Sequence, residues 1–399
     1  MKKLLSPSDR RIFLKRALRA ADWFANSQLG SHRPRWNADR GRFLYYYFIP
    51  GKKYVPGINW TQGRGLFTVT EAYKITRNLK YLRAAQAAAD YVSALQVTDP
   101  RFKKTLGTIK EHTPQDIWAG ALDGAQAASG FLMLYEAARN REYLLRGKSF
   151  CDYLMRNFRP EKGGFPSGAG GWPVEKVEYQ TDWTIHHCTS MPLWHLYRIT
   201  GDKRLLRPVV WAADAMLRSQ QADGSFFCRK DIRKLTRPEP NQHEGRGKGM
   251  ERYLIRNDDG MVVIFLAAFK ATGKLKYLDS MVSYAEWMMK SGPLTRPFCG
   301  FPVQASSLLD IGKAAKKDFS PWVLDNLKRY LLDLQVSGSG DPKAEGGFRG
   351  EDEENEGGIF GGQSLDYVPA RNTCYAAGAL FRLSGRGTGA GFSVSGLGR

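Results

Sequence analysis

The sequence predicts an all-α fold, an (α/α)6 toroid of six helical hairpins with its long loops gathered on one face. Three observations carry this. Twelve stretches place apolar residues three and four positions apart. Helix-opening segments recur at intervals of roughly sixty residues, an internal-repeat signal. Short and long connections alternate along the chain. An open all-α solenoid is the alternative, and six near-equal helix pairs fit ring closure better.

The periodicity predicts helices at 10–27, 61–77, 80–97, 117–138, 142–157, 182–200, 204–221, 257–272, 275–290, 303–314, 320–336 and 370–384. The stretch 204–221 is apolar at Leu205, Val209, Ala212, Ala213, Met216 and Leu217, with Arg and Asp on the opposite face, so it belongs on the outside. The stretch 257–272 runs Met261-Val262-Val263-Ile264-Phe265-Leu266-Ala267-Ala268-Phe269 and is apolar all round, as in a fully buried helix. Ala and Gly fill 117–138, which lets a neighbouring helix approach closely. Inner and outer helices therefore alternate. The short connections end in stop residues, as at Arg77-Asn78, Arg139-Asn140, Gly201 and Gly273, where the Asn or Gly suits the left-handed cap. The long connections, 28–60, 98–116, 158–181, 222–256, 291–302 and 337–369, are rich in Gly and Pro. In an up-down array every second connection lies at the same end, so all six share one face. Sites are usually built on such loops over a rigid scaffold. Short strands are expected at Arg42 to Phe48 and Ser225 to Cys228. The repeat predicts one closed unit over residues 1–384, followed by a frayed Gly/Ser-rich tail, 385–399.

Composition narrows the class. Hydrophobic residues make up 42% and charged residues 25% of 399, ordinary for a globular protein. The longest apolar run, Met261 to Phe269, is half of what a bilayer crossing needs. The N-terminus turns polar at once and forms no complete signal peptide, which points to a cytoplasmic protein. Cys151, Cys188, Cys228, Cys299 and Cys374 are odd in number and scattered, so buried thiols are expected rather than a disulfide framework. Sixty Lys and Arg against 39 Asp and Glu give a net charge of +21. That charge favours polyanionic partners. The segment Arg229 to Arg256 alone holds nine Lys/Arg against four acids, either a solvated loop or part of an anion-binding surface.

Carboxylates at the starts of inner helices are the candidates for chemistry. Asp123 sits among Ala and Gly on 117–138. Asp182 opens the next inner helix between Thr181 and Trp183, where an ordinary N-cap is the plain alternative. Asp258 and Asp259 open a third, after the basic loop. Neighbouring inner helices would put Asp123 and Asp182 on the same rim, and two carboxylates flanking a cavity can protonate a leaving group and direct water. Aromatic and basic residues of the same face are candidate sugar contacts: Trp60, Arg64, Trp118, Tyr179, Trp183, His186, Arg256 and Arg371. The adjacent His186 and His187 point about 100° apart on a helix and cannot easily share one ion, so neither metal nor cofactor is expected. Tyr179 with His186 or His187 could instead serve as base and acid of a β-elimination. The turn Gln220 to Phe227 looks like the repeat turn of triterpene cyclases, but no DxDD acid motif accompanies it and prenyl cyclisation is set aside.

In these segments the chain resembles the six-hairpin glycosidase superfamily, nearest in look to unsaturated glucuronyl and rhamnogalacturonyl hydrolases. Asn59-Trp60-Thr61-Gln62-Gly63 is similar to the family's W-x-x-G opening, and Tyr73 to Tyr81 to the turn that follows. Leu122-Asp123-Gly124 falls at the first family aspartate. Thr181-Asp182-Trp183 through Pro192-Leu193 to Thr200-Gly201-Asp202 falls at the second, and Asp223-Gly224-Ser225 at its DGS turn. Two features depart from the family: Leu122 stands where a histidine usually precedes the first aspartate, and Arg256 to Met261 lacks the usual tryptophan. The resemblance implies that Asp182 is the general acid/base, protonating the 4,5-double bond of an unsaturated uronic sugar and activating water for C5. It implies that Asp123 orients the sugar and shares charge.

The first expectation is thus an enzyme, a glycoside hydrolase acting on acidic, uronic-acid-containing saccharide. A polysaccharide lyase or sugar epimerase on the same toroid is the second. The third is a non-catalytic toroid that binds polyanionic glycan. Nucleic acid is not the expected partner.

Overall fold

The computed structural model describes residues 5–30, 39–171, 174–179, 184–226, 260–294, 299–350, 360 and 363–386, with the side chains of 184–187 outside the description. Among the described residues there are twelve α-helices: α1 Pro7–Ser27, α2 Asn59–Thr76, α3 Leu79–Leu95, α4 Ala121–Ala138, α5 Arg141–Asn157, α6 Thr184–Thr200, α7 Leu206–Leu217, α8 Gly260–Thr272, α9 Leu275–Ser291, α10 Gly300–Ala315, α11 Ser320–Tyr330 and α12 Ala370–Leu383. None is long and apolar enough to cross a membrane.

The even-numbered helices form the inner ring. Each packs on the next, from α2 through α4, α6, α8 and α10 to α12, and α12 returns to α2. This closes the ring and excludes the open solenoid. The expected hairpins run α2–α3, α4–α5, α6–α7, α8–α9 and α10–α11. The sixth pair joins the two ends of the chain, because α1 lies against both α12 and α2. Inner helices are buried nearly all round; in α8 every residue from Gly260 to Ala268 is buried. Outer helices bury one stripe only. Gly63 of α2 lies so near α4 that a Cβ there would stand 2.4 Å from the Gln126 carbonyl carbon.

The short turns bear out the glycines but not the asparagines: Gly201 and Gly273 take the left-handed cap, with φ of 73° and 69°, whereas at the other two turns the residue before the asparagine takes it. Arg77 and Arg139 take left-handed φ values of 59° and 57°, and their N–H groups bond back to Tyr73 and Tyr135. Asn78 and Asn140 then cap the next outer helix through their side chains.

A repeated device ropes each of several outer helices to the following one. Gln28, Gln96, Gln220 and Gln335 lie just beyond outer helices. Each donates its side-chain amide twice, to a glycine carbonyl in its own loop and to a carbonyl of the next outer helix. For Gln28 these are Gly41 and Ala84, at 2.8 and 2.9 Å. For Gln96 they are Gly107 and Arg146, at 3.1 and 3.0 Å. For Gln220 they are Gly224 and Ser280, and for Gln335, Gly346 and Arg16. The four glycines have φ between +84° and +97°. A Cβ on any of them would come within 2.0 to 2.3 Å of a carbonyl oxygen three residues further along that helix: Ala87, Ser149, Ser283 or Arg19. The Asp223-Gly224-Ser225 turn is one of these wedges, which gives it a structural reason. The Gln335 wedge lands on α1 and helps to seal the ring.

Two small sheets sit on the long-loop face. The first joins β1 (Leu44–Phe48) to β2 (Lys53–Pro56) on one side and β6 (Tyr367–Pro369) on the other, so it too links the start of the chain to its end. The second joins β3 (Trp118–Gly120), β4 (Gly168–Gly170) and β5 (Lys176–Glu178), all antiparallel. Here the sequence reading needs correction. The helix expected from 117 begins at Ala121, because Trp118 to Gly120 are taken into a sheet. The helix expected to 336 stops at Tyr330 and continues as a 3-10 turn, 332–334. Of the strand expected at Ser225 to Cys228, the described part makes only a bridge between Gln220 and Phe226. Cys151, Cys188, Cys299 and Cys374 are buried thiols in no disulfide, and Cys228 lies outside the described residues.

At the short-turn end a charged group is packed between inner helices. Lys74 Nζ lies 3.6 Å and His195 Nε2 3.3 Å from Glu136 Oε2, and Arg198 Nη2 lies 3.9 Å from Oε1. Burial works to raise the Glu136 carboxyl, but His195, Lys74 and Arg198 together outweigh it and hold the group at about 2. Burial lowers His195 by more than Glu136 raises it, leaving the imidazole neutral at pH 7. Both folded pKa values are therefore below the unfolded ones. On acidification the unfolded chain takes up the histidine proton first, below about pH 6.5, and the carboxyl proton below about pH 4.3. Stability present at neutral pH should be lost in that order. In urea titrations the unfolding midpoint is expected to fall between pH 7 and 5, and His195→Gln to flatten that fall. Equal slopes for the two proteins would count against the assignment.

Candidate active site

The first turns of α12, α2 and α4 lie side by side on the long-loop face, and each carries a predicted residue. Trp60 is the second residue of α2, Arg371 the second of α12 and Asp123 the third of α4. The Arg371 guanidinium carbon stands 4.7 Å from the centre of the Trp60 ring. Arg64, one turn deeper in α2, is buried and stands 5.7 Å from Trp60, 5.9 Å from Phe67 and 4.5 Å from Tyr375. Two guanidinium groups thus share one indole. Such cation–π contacts hold each cation flat against a ring and strengthen as water is removed. The sequence had singled out Arg64 only as a basic residue of the long-loop face.

Beside this cluster stands a second grouping, around Trp118, Asp123 and a residue that sequence reasoning missed, Glu111. The Glu111 carboxylate lies beside the Trp118 indole N–H edge and the main chain of Gly120, the cap residue of α4. A methyl placed on Gly120 would lie 2.8 Å from Glu111 Oε1, 3.5 Å from Trp118 Nε1 and 3.6 Å from Asp123 Oδ2. The two carboxylate oxygens therefore stand within about 6.4 Å of one another, those two distances together. Burial pushes the Glu111 carboxyl above its ordinary range; His112 and the nearby N–H groups of Gly120 and Trp118 only partly offset this. The main-chain oxygen of Glu111 also accepts the Asn59 N–H at 2.9 Å, at the first residue of α2. Nothing in Lys110-Glu111-His112-Thr113 distinguishes it from a solvated loop.

Tyr179 follows β5 and is drawn to an outer helix. Its hydroxyl donates to the Asn157 carbonyl at 2.7 Å, the last residue of α5, and Lys162 Nζ stands 5.1 Å from its ring. Burial pushes its hydroxyl above the usual phenol range, so it stays protonated at neutral pH and is not poised to take up a proton. His186 lies in the first turn of α6, with its side chain outside the description. Asp182, Trp183, Arg256, Asp258, Asp259 and the basic segment 229–256 also lie outside the described residues. Among the described residues no three His, Cys, Asp or Glu side chains cluster as metal ligands do.

No protein-family model and no curated protein sequence matches the chain. Solved structures do. The chain is similar to cellobiose 2-epimerase from Bacillus thermoamylovorans, with a TM-score of 0.66 at 14% identity over 93% of this chain and 100% of that one. It is similar to an unsaturated glucuronyl hydrolase specific for heparin, with a TM-score of 0.65 at 12% identity over 96% and 99% of the two chains. It is also similar to a glycoside hydrolase family 76 mannosidase from Bacteroides thetaiotaomicron, with a TM-score of 0.62 at 16% identity over 94% and 98%. At such identities the likeness is one of fold, and it extends over nearly the whole of each chain. The chain has the six-hairpin (α/α)6 toroid that these three proteins share.

Proposed function

We propose that the protein is a carbohydrate-active enzyme, a glycoside hydrolase acting on acidic, uronic-acid-containing oligo- or polysaccharide. The observation that carries the reading is the wall of the long-loop face, where Arg64 and Arg371 flank Trp60 next to the α4 turn that bears Asp123. Two cations on one flat ring suit a sugar that has a carboxylate at its edge. The net charge of +21 would draw such a substrate in. The heparin-specific glucuronyl hydrolase shows that this fold can serve an acidic sugar.

In this reading Asp182, just ahead of α6, is the general acid/base. It gives its proton to C4 of the unsaturated uronic ring and takes one from the water whose oxygen bonds to C5. Asp123 orients the sugar and shares the developing charge. Trp118, Trp183, Tyr179, His186, Arg256, Asp258 and Asp259 complete the lining.

The test is a screen of saturated and unsaturated uronic-acid oligosaccharides with product mass measured. Hydrolysis adds one water. Elimination cleaves without water and leaves an ultraviolet-absorbing product, and epimerisation leaves mass unchanged; either result would move the protein to the lyase or epimerase class. Arg371→Gln is expected to raise KM for the acidic substrate by about tenfold or more with kcat little changed, the loss of one charge-assisted hydrogen bond. An unchanged KM would remove Arg371 from the carboxylate site.

A further inference from the structure

We propose that Trp118 is a fixed stacking platform for a sugar ring and that Glu111 is the positioning residue that locks it beside Asp123. This deepens the carbohydrate reading and rests on it. Strand register gives the first argument. Trp118 pairs with Gly170 and Gly120 with Gly168, so these four residues lie on one face of the small sheet. The opposite face carries Ala119 and Ala169, which are buried with Val174. The Trp118 indole lies across the glycine face. Side chains at Gly168 and Gly170 would begin 2.6 Å from its Cζ2 and 3.3 Å from its Cε3. The ring can lie there only because three of the four positions lack a Cβ.

An indole backed by strand on one side turns its other side away from the sheet, and Trp118 is only half-buried. The negative face of the ring attracts the C–H groups of a pyranose. A sugar laid on it needs polar partners at its rim, and the Nε1 edge provides two. Glu111 and Asp123 converge there, around the same point above Gly120. Glu111 sets its carboxylate against the indole N–H edge and the cap of α4 at once, so ring and catalytic helix share one brace. Its main chain also holds the start of α2, so the platform is registered against Trp60 and the arginines. A Glu111 that merely tied down a loop would need no contact with the indole. The raised Glu111 carboxyl agrees with a group desolvated by this packing.

The experiment titrates the full-length protein with mannotriose, cellotriose and trigalacturonate. It follows affinity by calorimetry and the Trp118 indole by 15N-indole NMR, with that signal assigned through Trp118→Phe. The probe that binds is expected to shift the Trp118 signal. Trp118→Ala and Glu111→Ala should each weaken it by about tenfold or more, and Glu111→Gln, whose amide oxygen still accepts, by no more than about threefold. Gly168→Ala, which leaves Glu111 intact and lifts the ring, should weaken binding like Trp118→Ala. Wild-type affinity in Trp118→Ala or Gly168→Ala would overturn the platform. Glu111→Gln as weak as Glu111→Ala would overturn the positioning role. If none of the probes, nor any substrate from the uronic-acid screen, binds the wild type, the carbohydrate reading itself falls.

Discussion

Asp182→Asn is expected to leave less than about one thousandth of the wild-type kcat on the substrate found by the screen, and Asp123→Asn to slow turnover about a hundredfold. The amide is nearly the same shape as the carboxyl group but can neither give a proton nor take one. The Asp182 variant should therefore bind substrate with little change in KM while the chemical step stops. The Asp123 variant keeps a hydrogen-bonding group at the Trp118 edge, so orientation is weakened rather than lost. Loss of charge should appear in kcat and kcat/KM alike, the mark of an interaction made mainly in the transition state. Urea midpoints near wild type for both variants would show that the ring is intact. Turnover by Asp182→Asn at the normal rate would remove the acid/base assignment. A larger loss in Asp123→Asn than in Asp182→Asn would exchange the two roles.

Most of the fold was legible because an inner helix and an outer helix leave different residue patterns. The apolar run of α8 and the one-sided stripe of α7 each name a layer. Asn78, Asn140 and Gly201 mark turns through chemistry that works locally, although the asparagines do so as caps of the next helix and not in the left-handed position. What was not legible depends on partners distant in sequence. Trp118 to Gly120 and Gly168 to Gly170 are three-residue strands, too short to show alternation, and the Ala/Gly run after them reads as continuous helix until β4 is alongside. The α1 helix has no sequence neighbour to pair with; its partner is α12, at the far end of the chain. For the candidate site, Trp60, Arg64 and Arg371 were singled out because they are aromatic or basic residues near the starts of inner helices on the long-loop face. Glu111 was not, because its role comes only from the indole and cap that fold onto it.

Gly107→Ala is expected to destabilise the protein by about 3 kcal/mol or more, while Gly201→Ala costs about 1 kcal/mol. Both glycines have positive φ, +97° and +73°. An alanine at either position must adopt a backbone conformation that L-residues disfavour by roughly 1 to 2 kcal/mol. The surroundings separate them. At Gly201 a Cβ meets nothing within 4 Å, so the backbone term is the whole cost. At Gly107 it would lie 2.1 Å from the Ser149 carbonyl oxygen, an atom fixed inside α5. The loop must then pull back from α5, and the two Gln96 hydrogen bonds, to Gly107 itself and to Arg146, lengthen together. Buried amides left short of partners add their own penalty. Because the same wedge recurs at Gly41, Gly224 and Gly346, alanine there should give losses of similar size, and at Gly346 the loss falls on the closure between α1 and the end of the chain. Urea denaturation of the four single variants beside Gly201→Ala would test this. If Gly107→Ala proved as mild as Gly201→Ala, the contact with α5 would not be part of what holds adjacent outer helices together.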